Sequence, residues 1–462
     1  MGPEMKGLLE RALSHARADY CEIRVEQSRQ TGVSLRGRDS RHVTSELTAG
    51  GNVRALVGGG WGFVSFNRLD DLPRKVEEAC AHAAVLGARL GRQITLAPVA
   101  PIRADVGGVF RSDPTAMPLA KRVALLAGYN ELMLAQPEIA STSVTYFDKR
   151  TELLFANNEG SMISQDKLDI GLRMAAMAAR GTVSTQASVS TGSNTDYGVT
   201  LGLEDRLLAA AADAKAMLDA PVVKGGEYTV VLDPEMAGIF VHEAFGHLSE
   251  ADQLSENEKI RELLKIGTRY GPADLHVYDS GIEGGNRGEA AYDDEGVPMQ
   301  RTDLIRGGVV AGHLHSRETA SLMGEAPTGN ARAISYRFPP IVRMRTTCIG
   351  PGRYSLAEML RGVERGIYVR GAYGGQTNGE MFTFMAERAN LIRRGEIAEP
   401  VRDVNLSGNV FATLDAIDMI GSDFVISNMA GGCGKGMQAP LATADGAPHI
   451  RIRNVVVGGE GA

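Results

Sequence analysis

A chain of 462 residues exceeds one ordinary core and predicts two or three domains. Its formal charge is −7 at a pI of about 5.8, and no stretch interleaves Lys and Arg with aromatics, so a nucleic-acid binder is not expected. No apolar run approaches ~18 residues, which excludes a membrane span, and four widely separated cysteines (Cys21, Cys80, Cys348, Cys433) fit a reducing, cytoplasmic setting.

In chain order, residues 4–18 read as an amphipathic helix without a signal-peptide apolar core. Short strand-like runs follow, "YCEIRVEQ", "GVSLRG", "HVTSEL", "GNVRALV" and "WGFVSF", each bounded by glycines or polar turns. "GGGWG" (58–62) lacks the G-K-[ST] of a phosphate loop and predicts a hairpin turn. A helix over 72–89 carries Val76, Ala79, Cys80, Ala83 and Ala84 on one stripe. After a Pro/Gly-rich connection (96–118) the order resembles itself, without a residue-level repeat. A helix over 119–135 leads into strands at 140–147, 151–156, 168–178 and 182–190, and a helix over 204–219 closes the set.

A boundary near "DAPVVKGGEY" divides an N-terminal α/β domain (1–220) from a β-rich C-terminal domain (221–462) with helices at 234–246, 255–265 and 356–365. The class is α+β, because strands and helices do not alternate as β-α-β units.

"YTVVLDPEMAGIFVHEAFGH" begins as a strand, with Asp233 as helix N-cap and Pro234 at the first helical position. His242 and His247 then flank Glu243 at a five-residue spacing, where a zinc-protease helix keeps its histidines four apart. Five α-helical steps leave two side chains roughly 140° apart. A single wider turn at Gly246 brings them back to within ~50°, and such turns occur often at functional sites.

A catalytic zinc takes three protein ligands. The third is sought among Glu250, Asp252, His276, His313, His315, His449 and the cysteines. Glu250 and Asp252 stand in an acidic, surface-like segment, and "HLH" (313–315) would present two imidazoles on one strand face. Cys433, in "SNMAGGCGKGMQ", has flanking glycines that permit close backbone approach and Lys435 nearby to favour a thiolate. Cys21, Cys80 and Cys348 read as small buried residues. "YDDEG" (292–296) reads as a solvated turn.

The phrases "HEAFGHLSEAD", "GEAAYDDEGVPMQRTDLIRGGVVAGHLHSRETA", "PTGNARA", "GAYGGQTNGEMFTF" and "GGCGKGMQ" together resemble the TldD/PmbA family of metallopeptidases, in its motif-bearing TldD branch. The resemblance implies zinc held by His242, His247 and Cys433, with Glu243 as general base. It also implies a dimer enclosing a cavity, either a homodimer or a heterodimer with a PmbA-like paralogue. The expected substrate is an extended or unfolded peptide, bound along a glycine-bounded strand such as "GIYVRGAYGG" or "MFTFMAE". Two alternatives use the same residues: a cysteine-type hydrolase with Cys433 as nucleophile, and a non-catalytic regulatory or peptide-binding protein. His313, His315 and Tyr373 are oxyanion-stabiliser candidates by residue type.

Overall fold

The computed structural model describes residues 2–90 and 94–459. Its first half is organised by one antiparallel sheet whose strands are longer than the glycine punctuation predicts. Tyr20–Arg36 pairs without interruption with Ser40–Val57, from Tyr20↔Leu56 to Arg36↔Ser40. Glycines that read as breaks lie inside these strands. A Cβ on Gly50 would fall 2.4 Å from the Tyr336 ring, so glycine there makes room for a residue of the second half. The turn at "GGGWG" is as expected, with Gly58 and Gly59 at positive φ (55° and 87°) between Val57 and Gly60.

The repeated order has a structural counterpart. Each unit is a helix, three consecutively paired strands and a helix. The first unit runs Pro3–Leu13, Tyr20–Arg36, Ser40–Val57, Gly60–Phe66 and Leu72–Leu90. The second runs Leu119–Leu134, Ile139–Asn157, Met162–Arg180, Val183–Ser193 and Glu204–Ala216. The units join through their first strands, Glu22↔Asn157 to Arg36↔Ser143, into a single sheet. The connection contributes Arg103–Val106, parallel to the start of Met162–Arg180.

Strand alternation gives this sheet two unlike faces. Ile23, Val25, Val53, Val144, Tyr146, Leu172 and Met174 pack beneath the helices. On the helix Leu72–Leu90, Val76, Ala79, Cys80 and Ala83 are buried, whereas Ala84 is exposed. The opposite face carries Glu22, Arg24, Glu26, Asn52 and Arg54, which are also buried, because loops of the second half cover them.

"YDDEG" supplies that cover, and the expectation of a solvated turn is corrected here: Asp293, Asp294 and Glu295 are 2%, 7% and 3% exposed. Glu295 accepts from Arg54 (2.6 Å) and from the Arg317 backbone N–H (2.8 Å). Asp294 lies 3.2 Å from Arg24 and accepts from the Ala333 N–H (2.8 Å). Asp293 accepts from the backbone N–H groups of Val297 and Ala331 (2.8 and 3.1 Å). Local composition could not show that cations from a distant sheet meet these acids.

In the second half five strands close a ring: Arg365–Asn378, Gly226–Leu232, Ile450–Gly458, Asn405–Asn409 and Met381–Arg393, which pairs back to Arg365–Asn378. A six-stranded sheet, including Val277–Ser280, Thr346–Ile349 and Ala444–Ala447, stands beside it. The helix Pro234–Val241 packs against both. Phe240 meets the Phe382 ring edge-on at 5.6 Å, and a Cβ on Gly238 would lie 3.1 Å from the Asp445 Cβ. The helix expected over 356–365 stops at Leu360. Arg317–Met323 and Val410–Asp415 are helices that the periodicity did not announce. They are six or seven residues long, too short to display a stripe.

Candidate metal centre

The local sequence dictates how the histidines are aimed. The Asp233 side chain caps the helix through the Met236 N–H (2.8 Å), and the α-helix runs to Val241. Residues His242–Gly246 then form the wider turn, closed by the His247 N–H donating to the His242 carbonyl five residues back. This is the opening that the five-residue spacing requires. Gly246 is needed for packing as well: a Cβ there would sit 2.1 Å from the Sδ of Met344, a fully buried side chain. The imidazoles end 5.3 Å apart between centroids.

Cys433 arrives from the far end of the chain. Ligating atoms of His242, His247 and Cys433 all lie within 4.8 Å of one another, with Sγ 3.2 Å from His247 Nε2. A tetrahedral zinc with ordinary bond lengths spaces such atoms by about 3.3–3.8 Å, so the donor set fits. Each imidazole is backed by a carboxylate at Nδ1, Asp445 for His242 (2.7 Å) and Glu250 for His247 (3.2 Å). That arrangement turns both Nε2 atoms toward the thiol, as in metal sites with carboxylate-oriented histidines.

Electrostatics favour positive charge at this point. Burial opposes ionisation of Cys433, yet hydrogen bonds from His242 and His247 bring the thiol down to about 5. Burial likewise opposes charge on the imidazoles, but Asp445 drives His242 well above its ordinary value and Glu250 brings His247 to about 9. Burial of Glu250 is outweighed by Lys435 and His247, which hold it at about 2. Lys435 therefore acts on Glu250 (2.9 Å) and Asp252 (2.6 Å), and not on the thiol as its position in sequence suggested. Glu250 itself is fully buried, against the expectation of a solvated acid.

Glu243 opens onto the same cavity, of about 280 Å³, with an oxygen 3.9 Å from His247 Nε2. Burial raises its pKa, making it a stronger base than a free glutamate. The cavity lies between the two halves: Arg173 and Ser190 of the N-terminal sheet line it together with Tyr373, Gly431 and Cys433. The Cys433 loop is pinned to that sheet. Arg287 forks onto Asp169 (2.6 and 3.0 Å), donates to the Met429 and Gly431 carbonyls, and donates its backbone N–H to Asn428. Arg343 holds the Cys433 carbonyl itself (2.7 Å). Asp445, Arg287 and Arg173 carry no motif spacing, and only three-dimensional proximity reveals them, while Glu250, weighed as a ligand, stands behind His247 instead.

Three profiles of one family match the chain: PmbA/TldA metallopeptidase domain 1 over residues 21–83, the central domain over 112–219 and the C-terminal domain over 225–459. The chain belongs to the TldD/PmbA family of metallopeptidases. A metalloprotease of Synechocystis is 45% identical over 449 residues, covering 97% of this chain and 96% of its own. A zinc metalloprotease TldD homolog of Saccharolobus solfataricus is 29% identical over 453 residues, covering 96% and 97%. TldE from Thermococcus kodakarensis has the same fold, with a TM-score of 0.75 at 18% identity over 98% of this chain and 99% of that one.

The other histidines weighed from the sequence lie apart from this cluster. His449 stacks on Tyr368 and bonds Asp423, and His276 accepts from the Gly307 N–H. The rings of His313 and His315 lie 6.1 Å apart, on either side of Leu314, whose backbone pairs with Ser249 and Ala251, and neither lines the cavity. Both nitrogens of His313 face acceptors, Glu325 and the Leu264 carbonyl (each 2.8 Å), so the ring is a protonated double donor. His315 Nε2 lies 3.1 Å from the same carboxylate. Of the oxyanion candidates, only Tyr373 lines the cavity, and its hydroxyl donates to the Gln186 carbonyl at 2.5 Å.

The His313–Glu325 pair has a pH signature. Burial opposes the charge on His313, but Glu325 and the Leu264 carbonyl raise its pKa. Burial also opposes ionisation of Glu325, yet His313 and His315 hold it at about 2. Stabilisation from the histidine is complete below about pH 6.5 and fades as pH climbs through its raised value; that from the glutamate is complete above about pH 4.3 and fades toward 2. The Tm gap between the wild type and Glu325→Gln should therefore be widest between about pH 5 and 6.5 and narrow on both sides. A gap that stays flat from about pH 5 to 9 would refute the ion pair.

No described helix is long and apolar enough to cross a membrane.

Proposed function

We propose that the chain is a zinc-dependent peptidase acting on extended or unfolded peptides, with His242, His247 and Cys433 holding the metal and Glu243 serving as general base. The observation that carries this reading is the meeting of three donor atoms within 4.8 Å, each imidazole backed by its own carboxylate. Bound zinc supplies Lewis-acid activation of water and of the scissile carbonyl. Glu243 takes the water's proton and delivers it to the departing amine, a transfer its raised basicity favours. Asp445 and Glu250 keep the Nε2 lone pairs aimed inward. The four free, buried cysteines fit a cytoplasmic setting. Pairing with a second copy or a PmbA-like paralogue belongs to the same reading.

The backbone beside the centre suits an extended substrate. Arg365–Asn378 is laddered to Gly226–Leu232 only as far as Val369↔Leu232 and continues along one side of Met381–Arg393, with a register shift between Ala372 and Gly374. Ala372–Gly375 border the cavity, and this edge carries no further ladder partner among the described residues. An added peptide strand there would be read through its main chain. The expected result is cleavage of a reduced, unfolded protein and resistance of its folded form. Equal cleavage of both, or turnover confined to dipeptide-sized substrates, would defeat the proposal.

One observation favours a second reading. A thiol lowered to about 5 and 3.2 Å from an imidazole is also what a cysteine hydrolase needs. Complete chelation separates the two, because a cysteine hydrolase survives it.

A further inference from the structure

Among the described residues lining the metal cavity, Arg173 is the one Lys or Arg side chain. It stands directly opposite Ser190 on the neighbouring strand, so both project from the sheet face that meets the second half. Ser190 is occupied, its hydroxyl accepting from the Ala430 N–H (2.8 Å). Arg287, on the same interface, has every arm engaged. Arg173 is different: it is half-buried, and its guanidinium makes no hydrogen bond or ion pair among the described residues. It feels the carboxylates of Glu235 and Glu387 only at longer range.

Five donors held in a half-closed cavity without acceptors are costly to desolvate, and a planar guanidinium is the side chain best shaped to take a carboxylate in two parallel bonds. The charged groups on the facing wall, Glu243 and Asp445, would repel a carboxylate. Among the described side chains lining the cavity, Arg173 offers an anionic group of a bound peptide a cation on the side away from these acids.

We infer that Arg173 seats a carboxylate of the substrate peptide, either its C-terminus or an acidic side chain, beside the metal centre. The inference rests on the peptidase reading and makes the N-terminal sheet a specificity element. The test uses the zinc-loaded full chain and two matched sets of pentapeptides: one pair ending in carboxylate or carboxamide, the other carrying an internal Asp or Asn. In the wild type at least one pair should favour its charged member by roughly 10–100-fold in kcat/KM, the range of a charge-assisted hydrogen bond. The responding pair identifies which carboxylate is seated. Arg173→Ala should collapse that preference toward unity, and Arg173→Lys should restore part of it, which a folding defect would not do. The same peptides titrated against Glu243→Gln measure binding without turnover. Binding preference through Arg173 without any wild-type hydrolysis would sink the peptidase reading alone. A preference that survives Arg173→Ala, or no preference in either pair, overturns the inference.

Discussion

Glu243→Gln should retain its zinc and lose peptide hydrolysis by roughly 10²–10⁴-fold, the range of a general-base contribution. The substitution preserves size and the capacity to hydrogen-bond but removes the lone pair that accepts the water's proton. Glu243 is not one of the three converging donors, and its oxygen stands 3.9 Å from His247 Nε2, so metal affinity should survive. Metal analysis beside single-turnover hydrolysis checks both halves. Wild-type turnover in the zinc-loaded variant would place the base elsewhere.

The second large effect concerns the joint between the halves. Arg54 lies between two buried carboxylates, Glu22 (2.8 Å) and Glu295 (2.6 Å), and its guanidinium stacks 4.2 Å from the Trp61 ring centroid. Burial pushes the Glu22 pKa up, and the attraction of Arg54, with a hydrogen bond from the Tyr20 hydroxyl (2.6 Å), opposes it. Arg54→Met leaves two carboxylates in a low-dielectric joint without their cation, which costs about 3–5 kcal/mol. Arg54→Met/Glu295→Gln removes one of the orphaned charges and should recover part of the loss, a coupling that denaturant unfolding of the single and double variants resolves. A single-variant loss below about 1 kcal/mol would mean that water reaches the joint and the pair behaves as a surface bridge.

What could be read from the sequence follows the range of the forces involved. Gly246 beside His247 and the Asp233–Pro234 cap are local signals, and the turn they predict is present. The order of the N-terminal elements was legible for the same reason. Strand length was not, because Gly32, Gly50 and Gly51 read as breaks when only neighbours are considered. Within the fold the paired strands carry the chain straight through them. The largest misreading was of acids. Glu250 and the "DDE" of "YDDEG" look solvated in sequence, yet their partners, Lys435 for Glu250 and Arg24 and Arg54 for the loop, come from about 180 residues or more away. Arg173 is the same case with opposite sign: an ordinary strand residue until the sheet places it over the cavity.

The central claim is that one zinc is shared between the helix turn at 242–247 and the loop at 433. Elemental analysis of purified wild type and Cys433→Ala tests it most directly. One zinc per chain in the wild type, largely lost in Cys433→Ala, is the expected result, because removing the thiolate leaves two imidazoles where a structural or catalytic zinc takes three protein ligands or more. Full zinc occupancy in Cys433→Ala would contradict the account.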